Sequence, residues 1–551
     1  MTSSPGGSES FEVFEGFANF EGPEAAGSPE PGDVSGTAGS PVRAAPHGRR
    51  GRVLAALGAL ALAGAVTAAG LAAPVPADVA TPALGVAVPP AVRTLVCPGA
   101  LVQPVDSDTG DAAFNPTPVD TSTEVRALTA AAAAGSLAPL AGGTALSTFD
   151  PARATALRIG GVGGPTVLRA EPVADVAPRV AGTTASITTA GDLRGLAAAS
   201  CQQPSADQWL VGGSTDVGNS ALLVVVNPGT TSAEISLDLF GPSGAVDIAG
   251  AAGFVVAPGA ARAVLLEGVA AEQRSIAAHV RASGALVTAY LQDNRLNGFT
   301  PAGTDLVSAG TAPATRQVVG GIVVPASAID TPDVAQLRLL VTGRTAAKAR
   351  VSLLGPTGAV ALPGIDTVDL APGEVTDLSL GGLPAGAYTA VVDAGEPIVA
   401  AAMITRTGLP GALDATGTLE RAWGAAADPG TGGVVALPTG VTGTVLLSGV
   451  GTGGAATGVL RTFGTDGAIL DRRTVRVAAG RTVAIPVASL AKAAVAGLSF
   501  VPETKGAAVA WSVLASVTEP DGEFVSVLTP VPDAVAQSSV NVRRATRLGL
   551  P

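Results

Sequence analysis

Nucleophilic hydrolysis usually recruits a histidine as its base, and this chain contains two, His47 and His279. His279 sits in IAAHVRAS, alternating with apolar neighbours as on a strand, and no GxSxG nucleophile elbow accompanies it. An ordinary edge or surface residue is the expected role. The same scarcity of histidine excludes a His-rich zinc site. Asp106-Ser107-Asp108-Thr109-Gly110-Asp111 has the look of a calcium loop, but its sixth position is Asp111 where the pattern needs Gly, and the twelfth-position Glu is missing. A solvated polar loop is expected there. The glycine runs Gly449-Val450-Gly451-Thr452-Gly453-Gly454 and Gly160 to Gly164 lack the following helix that a phosphate cradle needs, and they read as hairpin loops. No cofactor is expected, and no catalytic or metal-binding residue can be assigned.

Polar recognition has one candidate. LQDNRLNGF (Leu291–Phe299) reads as a polar loop in which Asp293, Asn294, Arg295 and Asn297 offer hydrogen bonds to a partner. The competing reading is a linker whose side chains satisfy its own turns. Trp209, Trp423, Trp511, Tyr290 and Tyr388 are scattered along the chain and are expected as core anchors in preference to a sugar-binding ramp. A formal net charge of −12 without a basic stripe in the C-terminal body makes nucleic acid a poor partner.

These residues must be positioned by a β-rich framework. Leu237–Val246 reads LDLFGPSGAV, Val351–Val360 reads VSLLGPTGAV and Leu460–Ile469 reads LRTFGTDGAI, with starts 114 and then 109 residues apart. That period is the size of a small β-sandwich. Ahead of the first turn Ile235, Leu237 and Leu239 alternate with Glu234, Ser236 and Asp238, the pattern of a half-buried antiparallel strand. In the turn, Pro242 supplies a fixed φ and Gly244 suits the left-handed position of a bulged three-residue loop. The third repeat has no proline in its turn. Each repeat continues into a second expected hairpin: Ala278–Leu291, Thr389–Met403 and Leu498–Leu514. LPAGAY (Leu383–Tyr388) looks like the tyrosine corner of immunoglobulin-like sandwiches.

The expected fold is all-β: tandem immunoglobulin-like β-sandwich modules after a single N-terminal transmembrane helix. The boundaries read from the sequence are an acidic disordered cytoplasmic tail over 1–52, a transmembrane helix over 53–73, and a Pro/Ala-rich tether over 74–90. A diverged sandwich over 91–206, sandwich repeats over 207–312, 313–428 and 429–530, and a tail over 531–551 follow. The run VLAALGALALAGAVTAAGLAA is 21 residues long without a charge; as a helix it spans about 30 Å, the thickness of a hydrocarbon core. Arg43, Arg49, Arg50 and Arg52 precede it, which leaves the N-terminus in the cytoplasm and exports the rest. A cleaved signal peptide and a buried core helix are the alternatives; the long polar head before the run argues against cleavage. Within the tail, Phe11, Phe14, Phe17 and Phe20 recur every third residue, either as a cytoplasmic docking motif or as a low-complexity remnant. Cys97 and Cys201 are expected to form one disulfide on the exported side; the alternative is two buried thiols.

The stretch Cys201–Gly244, with the Cys and Trp before the first full repeat and NPGTTSAEISLDLFGP, together with LQDNRLNGFTPAG, resembles an actinobacterial envelope family catalogued as domain of unknown function 5719. The resemblance covers roughly Leu95 to the C-terminus. It implies a single-pass membrane or secreted protein, often encoded beside a membrane glycosyltransferase, with no assigned activity. The functional expectation is a membrane-anchored, non-catalytic scaffold or binding protein in cell-envelope assembly, at the plasma membrane with its body extracytoplasmic. Its expected partners are membrane lipid through residues 53–73 and an envelope protein or glycan. A carboxylate-dependent envelope enzyme and a shed adhesin are the competing readings.

Overall fold

In the strand Ala233–Gly241 alternate side chains are buried, with Ile235, Leu237 and Leu239 in the core and Glu234 exposed. The chain then reverses at Pro242-Ser243, pairing Gly241 with Gly244, so the loop holds two residues and not the expected three; Gly244 takes φ +113°. Gly355 and Gly358 close the second repeat in the same way. The bulged three-residue loop occurs in the third repeat instead, where Gly464 N–H donates to the Ala468 carbonyl and Gly467 takes φ +83°. This is the repeat without proline.

The computed structural model describes residues 84–86, 89–103, 121–248, 250–410, 417–503, 508–534 and 540–542. They are all-β, with short 3-10 turns at Leu266–Gly268 and Val487–Ser489 and no α-helix among the described residues. No helix among the described residues is long and apolar enough to cross a membrane. The apolar run 53–73, the phenylalanine motif Phe11 to Phe20 and the acidic loop Asp106 to Asp111 lie outside the described residues.

One sandwich displays the plan. Its first sheet orders Asp207–Val211, Ala277–Ser283, Ala233–Gly241 and Gly244–Val246, with Gly253–Val256 also on Ala233–Gly241. Its second orders Ala260–Leu265, Asn219–Asn227, Thr288–Asn297 and Thr300–Ser308. Leu223, Val225 and Leu291 of one layer meet Ile235, Leu237 and Val280 of the other in a single apolar core. Each such fully buried side chain stabilises by about 1.5–3 kcal/mol.

The same order recurs three times. Before it, Arg93–Cys97, Thr166–Ala170, Gly135–Pro139 and Ser147–Phe149 form one sheet, and Thr155–Gly160, Thr121–Thr129, Val180–Thr188 and Gly195–Ser200 the other. At the C-terminal end, Gly433–Ala436, Val495–Pro502, Ala456–Gly464 and Ile469–Val477 pair with one another, as do Thr482–Pro486, Thr442–Gly449, Val509–Glu519 and Gly522–Leu528. Between these, the long strand Gly386–Pro410 runs through both layers and merges them into one eight-stranded sheet. Its first half pairs with Ala314–Val324 and Ala347–Leu354, its second with Gln336–Val341 and Gly417–Ala425.

The second expected hairpin is corrected by this plan. Ala277–Ser283 and Thr288–Asn297 belong to opposite sheets, as do Val495–Pro502 and Val509–Glu519. Both strands of such a pair turn apolar residues toward the same core, Val280 from one side and Leu291 from the other. A crossover between layers therefore carries the same alternation as a hairpin.

The four sandwiches are fused into a closed ring. Their closing strands Gly195–Ser200, Thr300–Ser308, Gly417–Ala425 and Gly522–Leu528 pack in cyclic order, the first touching the second and the fourth, the third likewise. Apolar clusters run across the boundaries: Met403 and Trp423 join the core of the second sandwich, Val525 and Val527 that of the third, Leu196 and Ala198 that of the fourth, and Phe463 that of the first. Burial shared across each seam is what makes the four units one body.

Candidate functional site

The segment read as a polar loop is the strand Thr288–Asn297, and most of it is buried. Asp293 Oδ2 accepts from Arg421 Nη2 at 3.0 Å and from the Trp423 indole Nε1 at 2.8 Å, across the seam between the second and third sandwiches. Arg295 Nη1 pairs with Asp333 at 3.2 Å across the same seam. Asn294 is fully buried beside Ser220 and Thr304 in the sheet register, and the side-chain polar atoms of all three have no partner. Arg295 and Asn297, toward the strand's end, retain partial exposure. The segment is thus a strand and not a loop, and Asp293 and Arg295 are committed to an internal seam.

The four closing strands meet at a buried polar hub. Asp305, 1% exposed, accepts from the Trp423 backbone N–H at 2.7 Å through Oδ2, while its Oδ1 lies 2.9 Å from Ser526 Oγ. Ser526 Oγ in turn reaches the Ala198 carbonyl at 2.8 Å. Glu420 Oε1 accepts from the Leu196 N–H at 2.8 Å, and its Oε2 has no partner. Burial pushes the Asp305 carboxyl up to about 8. Burial also lifts Glu420 well above the ordinary carboxylate range, with Arg194 opposing and Asp305 adding to the rise. Arg194 is held by Asp521 at 2.6 Å and lies over the Phe524 ring. Gly303 permits the close approach of two strands: it takes φ +110°, and a Cβ there would lie 2.7 Å from the Arg421 backbone nitrogen.

Beyond the hub, the segments that follow the closing strands converge. Residues from 200–208, 308–312, 425–431 and 529–534 line an open recess of about 620 Å³, with Trp423 and Trp511 also in its lining. Volumes of this order suit a small ligand. Its lining residues include the polar Ser200, Gln202, Thr311 and Thr431, the acidic Asp207, Asp428 and Asp533, and the basic Arg93. Arg93 stands at the head of the strand Arg93–Cys97, whose far end is joined to Cys201 by a disulfide, and Cys201 itself lines the cavity. Val96 and Gln202 exchange backbone hydrogen bonds of 2.8 and 2.9 Å beside it. A covalent and hydrogen-bonded clamp thus fixes the strand that carries Arg93.

The remaining candidates fall into structural roles. His279 stacks on Trp209 with ring centroids 4.0 Å apart and faces Asp207 at 3.1 Å and Asp238 at 3.6 Å. Both glycine runs connect strands without a helix, but each passes between sheets, so neither is a hairpin loop. Tyr290 OH accepts from the Gly99 N–H at 3.2 Å. No group of three or more metal-ligating side chains is assembled among the described residues. Sequence reasoning missed Arg93, Asp305, Glu420 and Ser526. Their one signal was a polar side chain inside a largely apolar strand, as Arg93 in VRTLVC and Glu420 in TLERAW.

A family model described as a family of unknown function (DUF5719) matches residues 158–488, more than half of the chain. No curated protein matches. Among solved structures, that titled "Crystal Structure of Thermotoga maritima 1070" is similar over 21% of this chain and 93% of its own length, at 18% identity and a TM-score of 0.16.

Proposed function

The chain belongs to the family of unknown function DUF5719, and from that premise we propose that it is an extracytoplasmic, non-catalytic scaffold in cell-envelope assembly, recognising its partner at the ring's hub. The observation that carries this reading is how the buried ionisable groups are used. Asp293, Asp305, Glu420 and Arg421 are all engaged in joining one sandwich to another, as a rigid platform requires. The recess that the ring leaves open is walled by recognition groups. The Cys97–Cys201 disulfide supports an oxidising compartment.

Two finer readings belong to this proposal. The sandwiches are immunoglobulin-like: Tyr388 OH donates to the Pro384 carbonyl at 2.9 Å, four residues upstream, as in a tyrosine corner. The apolar run 53–73 anchors the ring in the membrane, with the N-terminal tail in the cytoplasm and membrane lipid as its immediate partner. An envelope protein or glycan, by family resemblance one handled by a membrane glycosyltransferase, is the wider partner.

The test is crosslinking in intact cells from a photoreactive residue placed at Gln203 on the hub wall, followed by mass spectrometry of the captured species. Envelope proteins or glycans in the adduct support the scaffold reading. Cytosolic proteins alone, with Cys97 and Cys201 freely alkylated in the cell, would overturn it.

A further inference from the structure

Arg93 is 8% exposed, its Nε has no hydrogen-bond partner, and among the described residues nothing hydrogen-bonds or ion-pairs with its guanidinium. Guanidinium is rarely left so, because removing it from water costs several kcal/mol unless an anion or acceptors replace the lost hydration. Burial pulls Arg93 below its ordinary value, and Asp533 opposes that fall only in part. Asp533 is itself taken by Arg179 Nε at 2.8 Å. Arg93 lines the 620 Å³ hub recess, on a strand fixed by the disulfide. It is a buried positive charge on a fixed strand, with no hydrogen-bond partner among the described residues and Asp533 as its partial counter-charge.

The rest of the wall limits what can answer it. Asp207 and Asp533 have imidazole or cationic neighbours, while no side chain among the described residues pairs with the Asp428 carboxylate. Three carboxylates around one recess repel any guest with a second negative charge. Phosphate esters and other polyanions are disfavoured for that reason. The hydroxyls and amides of the wall and the Asp428 carboxylate suit a guest that also brings hydrogen-bond donors.

We propose that the hub cavity is a binding site for a small monocarboxylate carrying hydrogen-bond donors, with the Arg93 guanidinium receiving the carboxylate and Asp428 receiving a donor. Two sources share this chemistry: a uronic acid, whose donors are hydroxyls, and the zwitterionic end of a peptide. The inference rests on the hub being a recognition site and adds the ligand's charge and class.

The purified full chain is titrated with two matched pairs, glucuronate against glucuronamide and glycylglycine against glycylglycinamide, followed by calorimetry and tryptophan fluorescence from Trp423 and Trp511. Inorganic phosphate is the polyanion control. The expected result is that at least one carboxylate binds about 10-fold or more tighter than its neutral amide, the worth of a charge-assisted pair. Arg93→Gln is expected to erase that preference, and the pair that shows it identifies the source. Equal binding of acid and amide overturns the Arg93 assignment while leaving the hub as a recognition site. Tighter binding of phosphate, or no carboxylate binding below about 10 mM, a free energy of under about 3 kcal/mol, also overturns it. Crosslinking from Gln203 reports separately on the scaffold reading. Should Arg93→Gln fail to fold, the acid-against-amide comparison on the natural chain decides.

Discussion

Ser526 Oγ stands 2.9 Å from Asp305 Oδ1, and this pair, 221 residues apart in sequence, joins the fourth sandwich to the second across the middle of the ring. A hydroxyl has one proton, and the Ala198 carbonyl lies 2.8 Å from the same oxygen. The arrangement is satisfied when Asp305 is protonated and donates to Ser526, while Ser526 donates to Ala198. A carboxyl held up to about 8 by burial supplies that proton at neutral pH.

Stability should therefore fall with rising pH. An acid whose folded value lies above its unfolded one keeps its proton only in the folded state, so its contribution is complete below about pH 4 and is lost as pH climbs toward 8. Thermal unfolding followed from pH 5 to 8.5 is expected to show a declining Tm. Asp305→Asn, which keeps a donor for Ser526, should flatten the decline and gain roughly 2 kcal/mol over the natural chain at the upper end. Parallel declines in the two proteins would remove Asp305 from the account.

Removing the disulfide should cost more than any single hydrogen bond. Cys97 and Cys201 are 104 residues apart, and a closed loop of that size stabilises by about 4–5 kcal/mol in the chain-entropy picture. The Cys97→Ser/Cys201→Ser double variant is expected to show a lower urea midpoint by that order. It should also weaken hub binding, because the strand bearing Arg93 loses its clamp. An unchanged midpoint would mean that backbone pairing alone holds the strand.

The Asp293–Arg421 pair is 1% and 6% exposed at the side chains. Asp293→Asn strands a buried guanidinium, whose burial already pulls it below its ordinary value. A loss of about 3–5 kcal/mol is expected. Asp293→Leu/Arg421→Met, which removes both charges, should be milder than either single change. Additive losses in a double-mutant cycle would show that the two side chains do not act as a pair.

Tyr388→Phe deletes only the hydroxyl that donates to Pro384. Chemical denaturation is expected to register about 1 kcal/mol with an unchanged m value. A change in m would instead point to rearrangement of the surrounding sandwich.

Much of the local architecture was legible in the residues. Alternation in Glu234 to Phe240 specified a strand, and Gly241 to Gly244 specified its reversal, because side-chain direction and φ preference are properties of neighbouring residues. The layer to which a strand belongs was not legible. Ala278 to Leu291 alternates in the same way whether it folds back in one sheet or crosses between two.

The hub was the least legible part. Asp305, Glu420 and Ser526 come from closing strands far apart in sequence, and each reads locally as one polar residue in an apolar run. LQDNRLNGF drew attention by composition alone, and composition does not distinguish a polar surface from a polar seam.

By itself, the sequence determined an all-β chain of repeated sandwiches with a single cysteine pair, since periodicity, turn residues and cysteine number are local or countable. Tertiary structure decided that the sandwiches close on themselves, that Asp293 faces Arg421, and that Arg93 lines a shared recess without a hydrogen-bond partner among the described residues. Those facts depend on which surfaces meet over hundreds of residues. Burial and charge pairing across a seam exist only once both sides have arrived.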